Sequence, residues 1–381
     1  MKIGVPKELL ADETRLAVSP DSIKKYAGMG FDVVVESGAG VSASFTDQRL
    51  VEAGATISSD QQQTIKDADI VLKVRGPDSD SGDDMRNYGS KSIVIANFSA
   101  LTKKDKLSDF AKTGVTAFAM DLMPRITRAQ SMDILSSQSN LAGYKAVLDA
   151  ANAMGRAYPM MMTAAGTIPP AKVFVMGVGV AGLQAIATAK RMGAVVTATD
   201  VRPATKEQVE SLGGKFLEVD AEMEKNAQTE GGYAKEMPKE YVQKQKEVVA
   251  EHVKKQDVVI TTALIPGRPA PILVTEKMVA SMPDGSVIVD MAVEAGGNCP
   301  LSQLGEVIDV GNVKILGHAN IPGRIAEDAS QLYAKNLLNF IIPLVNSEQK
   351  SIEIDWEDEI ITGTLICKDG KIVHPALTGE K

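Results

Sequence analysis

The sequence predicts an α/β protein built from two doubly wound, Rossmann-like parallel-sheet domains with a cleft between them. Short β-type runs alternate with amphipathic helical runs from the N-terminus, a pattern typical of parallel sheets that are covered by helices on both faces. The alternation restarts near residue 172. The chain has 381 residues, more than one hydrophobic core ordinarily serves, so we expect two domains.

Apolar runs bounded by Gly, Pro or charged residues predict the strands of both sheets. Those of the first sheet are KIGV, DVVVE, DIVLKV, SIVIANF and VTAFAM. Those of the second sheet are KVFVMG, AVVTATDV, DVVITTAL, SVIVDMAV and VKILGHAN. Helical segments lie between them, and one of these, SPDSIKKYAGMG, opens with Ser19 and Pro20 as cap and first-turn residues.

The C-terminal part predicts a return to the first domain. The helical run DASQLYAKNLLNFIIPLV precedes IEIDWEDEIITGTLICKDGKIV, which has the pattern of a hairpin or a pair of short strands. We therefore expect the first domain to comprise residues 1–135 and 330–381, and the second domain residues 136–329.

Three segments interrupt the alternation. Residues 221–256 form a long charged excursion, and residues 159–170 (PMMMTAAGTIPP) form a Pro-bracketed connection that we expect to be rigid. Three consecutive methionines there suit apolar filling at a domain junction or subunit contact. Residues 124–140 (PRITRAQSMDILSSQSN) are too long and too polar for a turn between apolar elements, so we expect them to face a ligand.

Composition excludes several functional classes. The net charge of −8 argues against a nucleic-acid partner, because binding to phosphate backbones requires clustered Lys and Arg. Cys299 and Cys367 have no metal-type spacing and fit a reduced, cytoplasmic compartment. The N-terminus lacks a secretory signature, and no run of about 18 apolar residues occurs that would span a bilayer.

The most specific motif is a dinucleotide-binding fingerprint in KVFVMGVGVAGLQAIATAKRMGAVVTATDVR. Gly177 permits a tight turn, Gly179 lets the backbone approach a pyrophosphate, and Gly182 lets the following helix pack close to the strand. Asp200 ends the next strand at the expected spacing of about 20 residues and suits the adenosine ribose hydroxyls. A carboxylate there favours NAD(H) over NADP(H), although Arg202 nearby is a residue type that accepts a 2′-phosphate.

The strand-end loops 261–267 (TTALIPG) and 293–298 (VEAGGN) are candidate walls of the same site, since ligands of such sheets bind beyond the carboxyl ends of the strands.

Candidate acid–base residues are few. The chain has three histidines, and an ordinary dehydrogenase needs a proton donor or acceptor beside the hydride. We expect a solvated position for His252 and no assigned role for His374. His318 ends a strand in GHANIPG and could reach the cleft, but we expect a structural role for it. Arg15 and Lys73 are candidates for binding an anionic substrate or are surface charges. A nucleotide-binding fold without an evident proton donor suggests hydride transfer to another nicotinamide.

The chain resembles, over essentially its whole length, the soluble NAD(H)-binding alpha subunit (domain I) of proton-translocating nicotinamide nucleotide transhydrogenase. The likeness lies in PRITRAQSMDILSSQSNLAGYKAV, PMMMTAAGTIPPAKVFVMGVGVAGLQAIATAKRMGA, ATDVR, ATKEQVESLGGKF, GGYAKEM, TTALIPG, VEAGGNCPL and HPALTG. The resemblance implies Re/Si-specific hydride exchange between NAD(H) bound here and NADP(H) on a partner component. A membrane-spanning component would couple this exchange to proton translocation. It also implies a homodimer, and a cytoplasmic chain held at the inner membrane by its partner subunits.

The resemblance further implies a loop that holds the nicotinamide and its ribose, and a mobile loop that closes over the nucleotide. The catalytic residues would be Arg125, Gln130, Asp133, Ser136 and Tyr233. With the fingerprint, the NAD(H)-binding residues would be Arg125, Gln130, Asp133, Ser136, Gly177, Gly179, Val180, Gly182, Asp200, Val201, Arg202, Gly232 and Leu264. No metal site is expected.

The chain is similar, more distantly, to bacterial alanine dehydrogenase. Arg15 and Lys73 match that enzyme's substrate-binding positions. Its catalytic histidine and aspartate, however, would fall where this sequence has Asn97 and Glu294. The alternative function, amino-acid oxidation, therefore lacks its acid–base residues.

Overall fold

The chain folds into two α/β units, Met1–Gln138 with Pro322–Lys381 and Ser139–Ile321. The structure is a computed structural model that describes residues 1–89, 92–224, 237–265, 267–346 and 348–379. The strands are β1 Lys2–Val5, β2 Asp32–Glu36, β3 Thr56–Ser58, β4 Ile70–Arg75, β5 Ile93–Asn97, β6 Thr116–Ala119, β7 Met161–Thr163, β8 Gly166–Ile168, β9 Lys172–Met176, β10 Val195–Thr199, β11 Lys215–Phe216, β12 Val258–Thr261, β13 Val287–Asp290, β14 Val307–Val310, β15 Val313–Leu316, β16 Val345–Asn346, β17 Ser351–Ile352, β18 Leu365–Lys368 and β19 Lys371–Ile372.

The α-helices vary from single turns to long rods. They are α1 Pro20–Gly28, α2 Asp47–Glu52, α3 Gln61–Ile65, α4 Lys104–Ala111, α5 Ile134–Ala153, α6 Val180–Arg191, α7 Thr205–Ser211, α8 Ala221–Glu224, α9 Lys239–Val253, α10 Glu276–Val279, α11 Ala326–Ile341, α12 Glu359–Thr364 and α13 Pro375–Thr378. Among the helices that the structure describes, none combines the length and the apolar character needed to cross a lipid bilayer.

The sheet of the first unit has eight strands in the order β19-β18-β6-β5-β4-β1-β2-β3. Strands β1 to β6 run parallel, whereas β18 and β19 join antiparallel. Apolar side chains point to both faces of the inner strands: Ile70 and Leu72 belong to one buried cluster and Val71 to another. A sheet buried on both faces is what continuous apolar runs predict.

The sheet of the second unit has seven strands in the order β11-β10-β9-β12-β13-β15-β14. All neighbours pair in parallel except β14, which pairs antiparallel with β15. The order along the chain reverses between β9 and β12. That point, at the carboxyl ends of the strands, is where doubly wound sheets bind ligands.

The predicted fold class is confirmed, and each predicted apolar run contains a strand of the expected sheet. Ser19 caps α1, and Pro20 is its first residue, as predicted. Residues 159–170 differ from the expected rigid connection, because they contain the antiparallel hairpin β7–β8. The charged excursion contains α9, and the short edge strands β3, β11 and β14 were not predicted.

Candidate dinucleotide-binding site

In the turn between β9 and α6, packing by itself requires glycine at two positions, Gly177 and Gly182. Gly177 has φ +96°, and a Cβ there would lie 2.5 Å from the hydroxyl of Thr262. A Cβ on Gly182 would overlap the carbonyl oxygen of Gly177 and lie 2.9 Å from its carbonyl carbon. The chain can turn this sharply, and α6 can pack this closely on β9, only because both residues lack a side chain.

Gly179 has a different environment. It is the residue before α6, its φ is −79°, and a Cβ there would meet no atom of the described residues within 4 Å. No side chain of the described residues caps α6. Val180, the first residue of the helix, is 40% exposed, and a helix N-terminus with free N–H groups in its first turn suits a phosphate.

Asp200 follows β10 beside this turn and is 8% exposed. Its Oδ2 accepts a hydrogen bond from the backbone N–H of Val178 at 2.7 Å. Arg202 donates to both carboxylate oxygens, from Nε at 2.8 Å and from Nη2 at 2.7 Å, and Val201 between them is half-buried. The guanidinium of Arg202 thus points at Asp200.

Hydrogen bonds join the loop after β12 both to the glycine turn and to the loop after β13. Thr262 donates its hydroxyl to the carbonyl of Gly177 at 2.9 Å. The fully buried Asn298 accepts from the N–H of Ala263 at 3.1 Å and donates to the carbonyls of Ala263 and Pro271 at 2.9 and 2.8 Å. We call these hydrogen bonds of Asn298 the clamp. Leu264, the residue after Ala263, is 54% exposed, so the clamp holds the backbone next to an exposed apolar side chain.

Asp290 organises the loop after β13. Its fully buried carboxylate accepts from the backbone N–H groups of Ala292, Asn298 and Cys299 at 3.0 to 3.1 Å and from the hydroxyl of Ser302 at 2.7 Å. We identified both strand-end loops from the sequence but missed Asn298, Thr262 and Asp290 as the residues that hold them. The sequence offered one signal for them: an aspartate, Asp290, ends an otherwise apolar strand.

Asn298→Asp is expected to loosen these loops. The new carboxylate would face the carbonyls of Ala263 and Pro271 in place of a donor, which should lower the free energy of unfolding by about 3 kcal/mol. NADH should bind more weakly as well. Urea unfolding and NADH fluorescence titration measure both effects, with the exposed Asn152→Asp as control. An unchanged unfolding midpoint would show that the clamp has no structural importance.

The polar stretch 124–140 lies largely in the first unit. Thr127–Met132 forms a 3-10 helix, and α5 begins at Ile134. Asp133 caps α5: its Oδ1 accepts from the backbone N–H of Ser136 at 3.0 Å, and the Ser136 hydroxyl donates to its other oxygen. Arg125 and Gln130 are exposed.

This stretch is anchored to other elements of its unit. Asn336 and Asn339 of α11 both donate to the carbonyl of Ser131 at 2.9 Å. Arg128 forms a two-bond ion pair with Asp358, at 2.6 and 2.9 Å. These contacts hold the stretch in a defined position on its unit, as expected of a binding surface and not of a flexible linker.

The predicted site residues fall into separate groups. The structure brings Arg125, Gln130, Asp133 and Ser136 together in one unit. It brings Gly177, Gly179, Val180, Gly182, Asp200, Val201, Arg202 and Leu264 together in the other. Gly232 and Tyr233 lie outside the described residues.

Two of the three histidines, His252 and His374, have structural surroundings. We expected a solvated position for His252, but it lies half-buried, bonds the hydroxyl of Thr197 at 2.7 Å and packs edge-on against Phe174. Burial and the charge of Lys255 lower the pKa of His252. His374 accepts from the N–H of Ala376 and so caps α13. Among the described residues no group of His, Cys, Asp and Glu is placed to hold a metal ion.

Arg15 and Lys73 are buried cations with acidic partners in their own unit. Arg15 pairs with both oxygens of Glu13, at 2.8 and 2.7 Å, and Lys73 lies 3.0 and 3.2 Å from the two oxygens of Asp83. Burial alone would raise the pKa of Glu13, but the charges and hydrogen bonds of Arg15 and Arg75 outweigh burial and lower it to about 2. These cations are therefore neutralised within the fold.

Glu8, next to this cluster, should give stability a measurable pH dependence. Burial raises the pKa of Glu8 from 4.5 to about 7, against the opposing charge of Lys73. Between those values the folded chain holds a proton that the unfolded chain releases, so the contribution of Glu8 to stability falls as pH rises. The fall amounts to roughly 3 kcal/mol for a shift of this size.

Glu8→Gln should remove that fall while keeping an acceptor for the N–H of Val74. Urea unfolding of both proteins from pH 5 to pH 8 tests this prediction. The free energy of unfolding of the wild type, relative to that of Glu8→Gln, should be highest at pH 5 and should decrease as the pH rises. A difference that stays constant across this range would contradict the raised pKa.

Comparison with known proteins identifies the family. Residues 4–142 match the family described as alanine dehydrogenase/PNT, N-terminal domain, and residues 146–375 match its C-terminal domain. The chain is 58% identical to a Rhodospirillum rubrum protein, the first part of NAD(P) transhydrogenase subunit alpha, over 100% of both chains. It also resembles the crystal structure of a transhydrogenase from Sinorhizobium meliloti, with 51% identity, a TM-score of 0.88 and coverage of 98% of this chain and 100% of that one.

An L-alanine dehydrogenase structure is more distant, at 25% identity and a TM-score of 0.80, covering 100% of this chain and 99% of that one. The fingerprint geometry and the whole-length likeness agree. The chain belongs to the alanine dehydrogenase/PNT family and, within it, to the alpha subunits of NAD(P) transhydrogenase.

Proposed function

We propose that this chain binds NAD(H) and exchanges a hydride directly with NADP(H) held by a partner component, with Re/Si specificity. A membrane-spanning component couples the exchange to proton translocation and holds this chain at the membrane surface. The observation that carries the proposal is the open helix N-terminus at Gly179, set beside Asp200 at the switch point of the second sheet. NADH supplies the hydride, and the transfer between two nicotinamides needs no side-chain proton donor.

Each group of residues has a part in this binding. The N–H groups at the start of α6 receive the pyrophosphate, and Asp200, followed by Val201 and Arg202, receives the adenosine ribose. Val180 and Leu264 offer exposed apolar surface to the nucleotide. The carboxylate of Asp200 favours NAD(H) over NADP(H), because it repels a 2′-phosphate.

The loop residues Arg125, Gln130, Asp133 and Ser136 position the nicotinamide end. Arg125 bonds the amide or phosphate region, and Gln130 and Asp133 fix the carboxamide and its ribose. Gly232 and Tyr233 belong to the loop that closes over the nucleotide. These roles are positioning roles, which is why polar donors and acceptors suffice.

The exposed hairpin β7–β8 supports a homodimer. Every residue of both strands is exposed, including Met162 at 77%. A two-stranded hairpin with no covered face is marginally stable by itself, and a methionine-rich one suits burial against a second copy. Sedimentation equilibrium of the isolated chain measures the oligomeric state.

One mixture tests the proposed exchange. It contains the purified chain, the NADP(H)-binding partner component, NADH and an NADP⁺ analogue whose reduced form absorbs at a distinct wavelength. Reduction of the analogue that requires all components supports the proposal. NADH binding without reduction would instead indicate a non-enzymatic NAD(H)-responsive protein.

An alanine-dehydrogenase-like activity is the second candidate, favoured by Arg15 and Lys73 at that enzyme's substrate-binding positions. Their ion pairs with Glu13 and Asp83 count against it. NADH formation from alanine and NAD⁺ with this chain alone would support it, and the absence of that reaction would remove it.

A further inference from the structure

The carboxylate of Asp200 has no acceptor position left for a ligand. Oδ1 accepts from the backbone N–H of Arg202 at 2.9 Å and from its Nε at 2.8 Å. Oδ2 accepts from the N–H of Val178 at 2.7 Å and from Nη2 of Arg202 at 2.7 Å. Two carboxylate oxygens offer about four acceptor positions, and all four are filled.

Two of these four donors occupy the position that a ribose would need. The Nε and Nη2 groups of Arg202 approach the carboxylate as a fork, one N–H to each oxygen. The 2′ and 3′ hydroxyls of a ribose are also two adjacent donors that bind a carboxylate in this paired way. The guanidinium and the ribose therefore compete for Asp200, while the two backbone donors can stay.

We propose that Arg202 is an internal competitor that sets the affinity of the site: its side chain occupies the adenosine ribose position on Asp200 and must leave before a nucleotide binds there. The proposal rests on the proposed NAD(H) binding by this unit. The side chain of Arg202 is 19% exposed, so its guanidinium already reaches solvent in part.

The competition should depend on the ribose hydroxyls of the ligand. Breaking the Arg202–Asp200 pair opposes binding only for nucleotides whose ribose hydroxyls claim the carboxylate. A 2′,3′-dideoxy nucleotide leaves the pair intact and meets no such opposition. If Arg202 served merely as a phosphate or adenine contact, its removal would weaken both kinds of nucleotide alike.

The test compares 5′-AMP with 2′,3′-dideoxyadenosine 5′-monophosphate, both competing against NADH fluorescence on the purified chain. In Arg202→Met, 5′-AMP should bind about tenfold more tightly, because the two-bond ion pair between Arg202 and Asp200 no longer has to be broken. The dideoxy nucleotide should bind as it does to the wild type. Arg202→Lys, which keeps the charge but lacks the fork, should lie between the two and serves if the methionine variant does not fold.

Lys206→Met is the matched control. Lys206 is an exposed cation of the neighbouring helix α7 that pairs with Glu218 at 2.9 Å, so its loss should alter neither nucleotide. Unchanged or weaker 5′-AMP binding in both Arg202 variants would overturn the inference, as would equal shifts for the two nucleotides. Failure of NADH to bind the wild-type chain would instead refute the proposed function.

Discussion

Gln130→Asn and Asp133→Asn are each expected to slow hydride exchange with the partner component by on the order of 100-fold, because misplacing a reacting ring by about 1 Å has an effect of this size. NADH binding should fall only modestly. The phosphates and the adenosine ribose are proposed to be held by Gly179, α6 and Asp200, which these variants leave intact. Stopped-flow reduction of the NADP⁺ analogue and NADH fluorescence titration measure the two quantities separately.

The structure makes the Asp133 variant a clean one. Asp133 caps α5 through the N–H of Ser136, and asparagine is as good a cap as aspartate. Asp133→Asn therefore keeps the acceptor for the N–H of Ser136, removes the charge and replaces the oxygen that accepts from the Ser136 hydroxyl with an amide donor. Gln130 is exposed, so shortening it by one methylene disturbs no core.

Arg128→Gln is the control from the same stretch. It breaks an exposed ion pair with Asp358 and alters none of the proposed nicotinamide contacts. It should exchange hydride at the wild-type rate. Wild-type rates in Gln130→Asn and Asp133→Asn as well would refute the positioning role of the loop, and a loss of NADH binding as large as the loss of rate would reassign it to binding.

The sequence predicted the interior of both sheets well, because parallel strands that are buried on both faces are continuous apolar runs. DIVLKV and KVFVMG are such runs. The edge strands β3, β11 and β14 escaped because they are only three, two and four residues long, and none forms such a run. The hairpin β7–β8 was not predicted because its two strands, MMT and GTI, are too short to show an alternating pattern.

The site was predictable where its signals are local. The three glycines and Asp200 lie in one continuous motif, so their spacing is visible in the sequence. The clamp of Asn298 on Ala263 spans 35 residues, and no local pattern announces it. The pairing of Arg202 with Asp200 was also missed, since the residue types permitted a phosphate-binding arginine equally well.

His252 was misplaced for a related reason. Its segment is so rich in Lys and Glu that we expected a solvated face. The periodicity of α9 nevertheless buries Tyr241, Val249 and Val253, and His252 lies next to that buried stripe. Composition described the outer face of the helix, whereas the spacing of its few apolar residues determined the inner one.

Gly179→Ala and Gly182→Ala should separate binding from folding within one motif. A Cβ on Gly182 meets the backbone of Gly177, which no rotamer change can relieve, so this variant should lose about 3 kcal/mol of stability or more. A Cβ on Gly179 meets nothing within 4 Å, and an alanine at a helix cap should lower stability by less than about 1 kcal/mol.

For NADH binding we expect the opposite ranking, with Gly179→Ala having the larger effect. The new methyl group of Gly179→Ala would fill the space through which the pyrophosphate reaches the N–H groups of α6. Loss of two charge-assisted hydrogen bonds would weaken NADH binding by on the order of 100-fold. Thermal unfolding and NADH titration of both variants give the comparison. Normal NADH affinity in a stably folded Gly179→Ala would mean that the phosphates bind elsewhere, because packing against the described residues supplies no other reason for a glycine there.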